Sequence, residues 1–286
     1  MRTPIIAGAA DLLARYDVVF SDIWGVIHNG QRPFEQACAA LARFRAEGGT
    51  VVLISNAPLP WDRVAEILQE IGVRKECWDA IVASGDIALG HVAASGYERI
   101  LALSYGFDRI LFDRLALAET GVADADAIVC TGVRNERAET PDSFRPMLEE
   151  ALTRQLPFVC ANPDLVVDVG GNLLTCAGAV ADLYERMGGP VYWAGKPHAP
   201  VYEAAQTLAE ELRASPLARD RILAIGDSLR TDIAGASAFG IDSIFVATGI
   251  HRDALTAGDE MAATGLDALV KQHGVKPAAA MLELRW

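Results

Sequence analysis

The chain alternates short apolar runs with longer stretches whose apolar positions recur at helical spacing. Residues 17–21 (DVVFS) are a compact apolar run that ends at a carboxylate, Asp22. Within residues 34–47, Ala37, Leu41 and Phe44 fall three or four positions apart, which predicts a helix that Gly48 and Gly49 stop. Residues 50–55 (TVVLIS) are β-branched and nearly continuous, the pattern of a strand covered on both faces. Residues 60–71 return to helical spacing, Gly72 ends them, and residues 81–84 read as a third strand. Strands alternating with helices predict βαβ units and a parallel sheet, hence an α/β fold.

The second half repeats this pattern. Residues 191–194, 221–225 and 243–246 read as strands, and residues 200–213 and 231–239 as helices. Between the halves, residues 97–189 carry strands of their own at 99–103, 127–130 and 157–160, with helices near 144–154 and 178–187. A block of about ninety residues between two halves of one sheet reads as an inserted domain. The expected organisation is a doubly wound parallel-sheet core from residues 1–96 and 190–286, with an α/β insert at 97–189. The tail, 258–286, is helical in tendency.

Composition narrows the function classes. The chain has 286 residues, 51% hydrophobic and 22% charged, so it holds enough apolar surface for a packed core and is not a disordered segment. The formal net charge of -13 argues against nucleic acid or an anionic membrane as partner. It leaves a small anionic substrate open, because a metal ion inverts the field of an acidic site. Cys38, Cys77, Cys130, Cys160 and Cys176 are odd in number and form no C-x-x-C pair, so they read as buried thiols in a reducing compartment. No apolar stretch reaches the length of a membrane span, and Asp11 interrupts residues 1–16, so no leader is expected and the expected location is cytoplasmic.

Ligands of an open parallel sheet bind beyond the carboxyl ends of its strands. Asp22-Ile23-Trp24-Gly25-Val26 follows the first strand, and Ser55-Asn56 stands at the end of the second. Gly195-Lys196-Pro197 follows residues 191–194, and Gly226-Asp227-Ser228-Leu229-Arg230-Thr231-Asp232 follows residues 221–225. Each piece alone is an ordinary turn, helix start or loop lysine. If those strands are adjacent, one site receives two or three carboxylates, a hydroxyl, an amide and an ammonium. That set suits phosphoryl transfer: carboxylates for a hard cation such as Mg²⁺, one carboxylate as nucleophile, and donors for the phosphoryl oxygens.

These four segments, in this order, resemble the four motifs of the haloacid-dehalogenase (HAD) superfamily. The insert lies where that superfamily places a C2 cap domain. Its length, the stretch Gly195-Lys196-Pro197-His198 and the phrase Ala161-Asn162-Pro163-Asp164 are similar to the NagD-like (class IIA) branch. The resemblance covers nearly the whole chain. It implies a HAD-like (Rossmannoid) core and a hydrolase, phosphatase-like, acting on a small phosphorylated metabolite, with Mg²⁺ as cofactor; relatives often pair as dimers. It makes Asp22 the nucleophile and a metal ligand. The backbone carbonyl of Trp24 and Asp227 become further ligands, Asp232 orients the metal's waters and Lys196, Ser55 and Asn56 hold the phosphoryl group, and Lys196 neutralises Asp22 and the phosphoryl oxygens.

One departure matters. Phosphatases of this superfamily carry Asp-x-Asp at the first motif, and the second Asp protonates the leaving oxygen. Trp24 stands there, and an indole supplies no useful proton. A general acid contributes roughly 10²- to 10⁴-fold. Three consequences stay open: another group such as His28 takes the role, the substrate has a good leaving group, or the reaction is different. Dehalogenase members also lack that Asp but need no metal, whereas this chain keeps Asp227 and Asp232. A protein that binds phosphate with little turnover is the alternative from another class. Trp24 reads equally as a packing residue or a substrate platform, and His28 and His198 read more readily as structural. Asn162 and Asp164 belong either to a substrate loop or to a turn with Pro163.

Overall fold

In the computed structural model, which describes residues 2–104, 106–135, 138–169, 172–248, 255–257 and 260–286, the run ahead of Asp22 is strand β1 (Val18–Asp22) and TVVLIS is β2 (Thr50–Ser55). β3 (Ala80–Ala83), β4 (Arg99–Leu103), β5 (Ala118–Glu119), β6 (Ala127–Cys130) and β7 (Phe158–Cys160) follow. An antiparallel pair, β8 (Val166–Val169) and β9 (Asn172–Thr175), precedes β10 (Val191–Trp193). The remaining strands are β11 (Ile222–Gly226), β12 (Asp242–Val246), the short pair β13 (Thr256–Ala257) and β14 (Glu260–Met261), and β15 (Ala279–Met281).

The chain divides into two compact units. The first comprises Met1–Ser55, Ala65–Val82 and Pro197–Trp286, and the second Asn56–Val64 and Ala83–Lys196. The first is built on a six-stranded sheet in the order β15-β12-β11-β1-β2-β3. β1 lies between β11 and β2, parallel to both, and β11 is parallel to β12. β2 and β11 are buried along their whole length, as their nearly continuous apolar sequences predict. The helix Glu35–Ala46 packs on β2 and buries Ala37, Cys38, Ala40, Leu41 and Phe44. Burial of a Leu or Phe side chain contributes about 1.5–3 kcal/mol.

The second unit is a five-stranded sheet, β10-β7-β6-β4-β5, with parallel pairings throughout. Successive side chains of a strand point to opposite faces, and both faces are covered. Ile128, Cys130, Phe158 and Cys160 pack with Leu148 and Ala151 of the helix Arg145–Thr153 and with Val180, Ala181 and Tyr184 of the helix Ala177–Arg186. Val129 and Val159, one position out of phase, pack with Ala88 and Val92 of the helix Ser84–Ser95 and with Leu111 and Phe112. That packing differs from the expected division at residues 97 and 189. The helix Ser84–Ser95 and strand β10 were expected in the six-stranded sheet's unit. They belong to the second, because Ala88 and Val92 cover its sheet and Val191–Trp193 pairs with Phe158–Cys160.

The tail also departs from expectation. Gly258 lies outside the described residues and Ala263–His273 is helical, but Ala279–Met281 adds the outermost strand beside β12. All five cysteines are buried thiols. Among the described residues no helix is long and apolar enough to cross a membrane.

Candidate functional site

The register of β1 explains why distant residues meet. Asp22 is paired with Ile54 of β2, and Ser21 with Ile225 of β11. The carboxyl ends of three parallel strands therefore stand side by side. They deliver Asp22, Ser55 and, one residue past Gly226, Asp227 to one edge of the sheet. Asp232 joins them from the turn after β11. Each of Asp22, Asp227 and Asp232 offers a carboxylate oxygen, and these oxygens lie within 4.8 Å of one another.

Local chemistry sets the turn. Ser228 caps the single π-helical turn Leu229–Ile233: its hydroxyl accepts the Thr231 N–H at 3.3 Å. The Ser228 N–H in turn donates to Asp232 Oδ2 at 3.0 Å, and the Tyr202 hydroxyl donates to the Asp232 carbonyl at 3.3 Å. Two glycines make room. A Cβ at Gly226 would lie 2.1 Å from Asp232 Cβ. A Cβ at Gly25, whose φ is +80°, would lie 2.1 Å from Asp227 Oδ2. The Gly25 carbonyl accepts the Thr248 hydroxyl. Gly226 and Ser228 stand within the segment after the strand at 221–225, but their spacing gives them no supporting role, and Thr248 lies outside every motif. Only Ser228 carried a signal, as a favoured N-cap residue after a strand.

Three clustered carboxylates, two of them nearly fully buried, oppose one another. Two unit charges about 5 Å apart repel by roughly 3 kcal/mol at an effective dielectric of about 20. Such a cluster is favoured when a cation sits among it. An all-oxygen donor set fits a hard divalent ion of the Mg²⁺ or Ca²⁺ kind.

Trp24 is 38% exposed. Its ring meets the His28 ring edge-on, with centroids 5.4 Å apart, and lies where a Cβ on Gly30 would fall, 2.5 Å from Cη2. Indole, His28 and Gly30 thus form a packed corner that leaves part of the indole open. His28 is buried, its Nδ1 accepts the Gly30 N–H at 2.8 Å, and burial pushes its pKa down to about 4. At neutral pH it is an uncharged imidazole and a poor proton donor.

Ser55 is buried at the end of β2. Asn56 and Lys196, also buried, belong to the second unit, where the Asn56 side chain bonds the backbone of Lys196 and the carboxylate of Asp164. The Asp164 N–H donates to Asn162 Oδ1 at 3.1 Å, a local turn. His198 is the residue before the helix Ala199–Arg213, in extended conformation.

Two family models match: a haloacid dehalogenase-like hydrolase model over residues 19–112, and a HAD-hydrolase-like model over residues 193–270. The crystal structure of a hydrolase of the haloacid dehalogenase-like family from Brucella suis is 36% identical, with TM-score 0.85, covering 98% of this chain and 100% of that one. A chain described as a putative nagD protein shares the fold at 21% identity and TM-score 0.63, covering 87% of this chain and 93% of its own. The D-glycerol 3-phosphate phosphatase of Mycobacterium tuberculosis is 27% identical over 251 residues, 82% of this chain. The match spans 64% of that protein's length. On the strength of the Brucella relative, this chain belongs to the haloacid dehalogenase-like hydrolase family.

Proposed function

We propose that this chain is a divalent-cation-dependent phosphatase for a small phosphorylated metabolite with a good leaving group, working through an aspartyl-phosphate on Asp22. The observation that carries the reading is the convergence of Asp22, Asp227 and Asp232 at the carboxyl edge of the six-stranded sheet. Asp22, Asp227 and the Trp24 carbonyl would hold Mg²⁺, with Asp232 beside them. When bound, the ion offsets the carboxylate charge and that of the phosphoryl oxygens.

In this reading an Asp22 oxygen attacks phosphorus, the bond to the leaving oxygen breaks, and water then attacks the phosphorus of the aspartyl-phosphate to release phosphate and Asp22. Ser55, Asn56 and Lys196 hold the transferring group. The second unit acts as the cap that selects the substrate. Trp24 supplies no proton and His28 is uncharged, so the leaving oxygen departs without a strong acid. Acyl and aryl phosphates are therefore the favoured substrates.

The test is hydrolysis of p-nitrophenyl phosphate and acetyl phosphate with and without Mg²⁺, beside Asp22→Asn. The expected result is Mg²⁺-dependent turnover that falls by roughly 10³-fold or more in the variant, with a steep dependence on leaving-group pKa. Turnover that survives Asp22→Asn, or that ignores the metal, sinks the reading. Trp24 also favours a second reading, a protein that binds phosphate compounds with little turnover. Tight phosphate binding without hydrolysis, together with a large gain in Trp24→Asp, supports that second reading.

A further inference from the structure

The amide of Asn56 is committed within the second unit. Its Oδ1 accepts the Lys196 N–H at 2.8 Å. Its Nδ2 donates to the Lys196 carbonyl at 3.2 Å and to Asp164 Oδ1 at 3.0 Å. The partners fix which way the amide points: a peptide N–H only donates, so the atom facing it is oxygen. Both Nδ2 hydrogens are then used. The two bonds to Lys196 lie on either side of its Cα, so they set the direction in which the lysine side chain leaves the backbone.

The surroundings are shaped for this approach. A Cβ on Gly195 would lie 2.4 Å from Asn56 Oδ1, so only glycine lets the loop come so near. Asp164 is itself anchored. Its N–H bonds Asn162 Oδ1, and a Cβ on Gly178, in the first turn of the helix Ala177–Arg186, would lie 2.4 Å from the Pro163 carbonyl and 2.5 Å from that of Asp164. Asn56 therefore grips Lys196 while a braced carboxylate orients Asn56.

We propose that Asn56 is a positioning residue, with Asp164 as its orienting partner: its side chain fixes the backbone of Lys196 and does not itself contact the phosphoryl group. The assignment rests on the reading under which Lys196 acts on that group. It narrows the part of Asn56 in that reading to whatever its backbone does and to the placement of Lys196.

Two measurements test it together. The first is amide hydrogen exchange of the peptide spanning Gly195 and Lys196, with peptides from β6 and β7 as the control for global unfolding. Asn56→Ala and Asp164→Ala are expected to speed exchange there by tenfold or more while β6 and β7 stay protected. Asp164→Asn, which keeps the acceptor oxygen, stays near the parent protein. Unchanged exchange at Lys196 in Asp164→Ala overturns the proposal. The Asp164 pair also decides it if Asn56→Ala does not fold.

The second measurement is kcat and KM for p-nitrophenyl phosphate in a cycle of Asn56→Ala and Lys196→Ala. A misplacement of about 1 Å costs roughly 10²-fold, so Asn56→Ala alone lowers kcat by about that factor. In the Lys196→Ala background it costs less than about twofold, because there is nothing left to position. Losses that multiply mean that Asn56 contacts substrate on its own, and the proposal falls. If the parent protein hydrolyses nothing, the phosphatase reading fails, and the exchange result still decides the role of Asn56.

Discussion

Both units lay parallel strands between helices, and they differ in the polar groups they gather at the ends of those strands. Beyond β1 and β11, Asp22, Asp227 and Asp232 are crowded within 4.8 Å. Beyond β6, Thr131 spends its hydroxyl on the Leu103 carbonyl at 3.2 Å, and beyond β7, Asp164 is met by the Asn56 amide. The second arrangement is what a fold does with polar groups it must cover. The first uses such bonds too, as Asp232 does with the Ser228 N–H, but it gathers three carboxylates in one place. Architecture is common to the two units, so the difference in chemistry lies at the strand tips.

The contrast can be broken at either end. The largest expected effect is on packing alone. Leu148→Ala removes a fully buried side chain from the second unit's core and costs about 2–5 kcal/mol. Thermal unfolding with and without Mg²⁺ checks it: both midpoints fall, and the increment due to metal is unchanged. A change in that increment would mean that the two chemistries are not separable.

Asp227→Asn sharpens the other end. Without metal, removing one of three crowded charges stabilises by about 1 kcal/mol, or roughly 2–4 °C. With Mg²⁺ present, the same variant is less stable than the parent. A loss of stability in both conditions would show that repulsion is not what distinguishes the cluster.

The smallest effect concerns Asp86 in the second unit, which accepts the Trp61 N–H at 2.8 Å and whose pKa burial raises to about 6. The folded protein then holds a proton between about pH 4 and 6 that the unfolded chain releases. The contribution of Asp86 to stability therefore falls as pH rises through that window and levels off above it. Asp86→Asn flattens the profile and adds on the order of 1 kcal/mol at pH 7, after discounting for solvent screening. Urea midpoints from pH 4 to 8 read this directly.

Much of the architecture was legible because buried parallel strands have nearly continuous apolar sequences, as in TVVLIS, and because Gly48, Gly49 and Gly72 punctuate helices. Periodicity marks a strand but not its partner. Residues 191–194 read correctly as a strand and were assigned to the wrong sheet, since pairing with Phe158–Cys160 is a long-range fact. Strand β15 was missed because Ala279-Ala280-Met281 carries no β-branched residue; it is a strand because β12 offers it a ladder and Ala280 packs with Phe245 and Leu266. At the site, motif order anticipated that Asp22, Asp227 and Asp232 would meet. It could not anticipate the corner formed by Trp24, His28 and Gly30, nor that the Asn56 side chain would be spent on Lys196 and Asp164. Both depend on side-chain directions across loops, which residue spacing does not encode.

The boundary between the units is crossed four times, after Ser55, Val64, Val82 and Lys196. A gene segment for residues 83–196 would therefore encode the five-stranded sheet without Asn56, the brace of its own last residue. It would also lack Leu59, whose backbone sits where a Cβ on Gly85 would lie, 2.4 Å from the Leu59 carbonyl. Any recombination that exchanges this module between relatives must carry two stretches of coding sequence together. A single-cut swap would separate Lys196 from the residue that aims it.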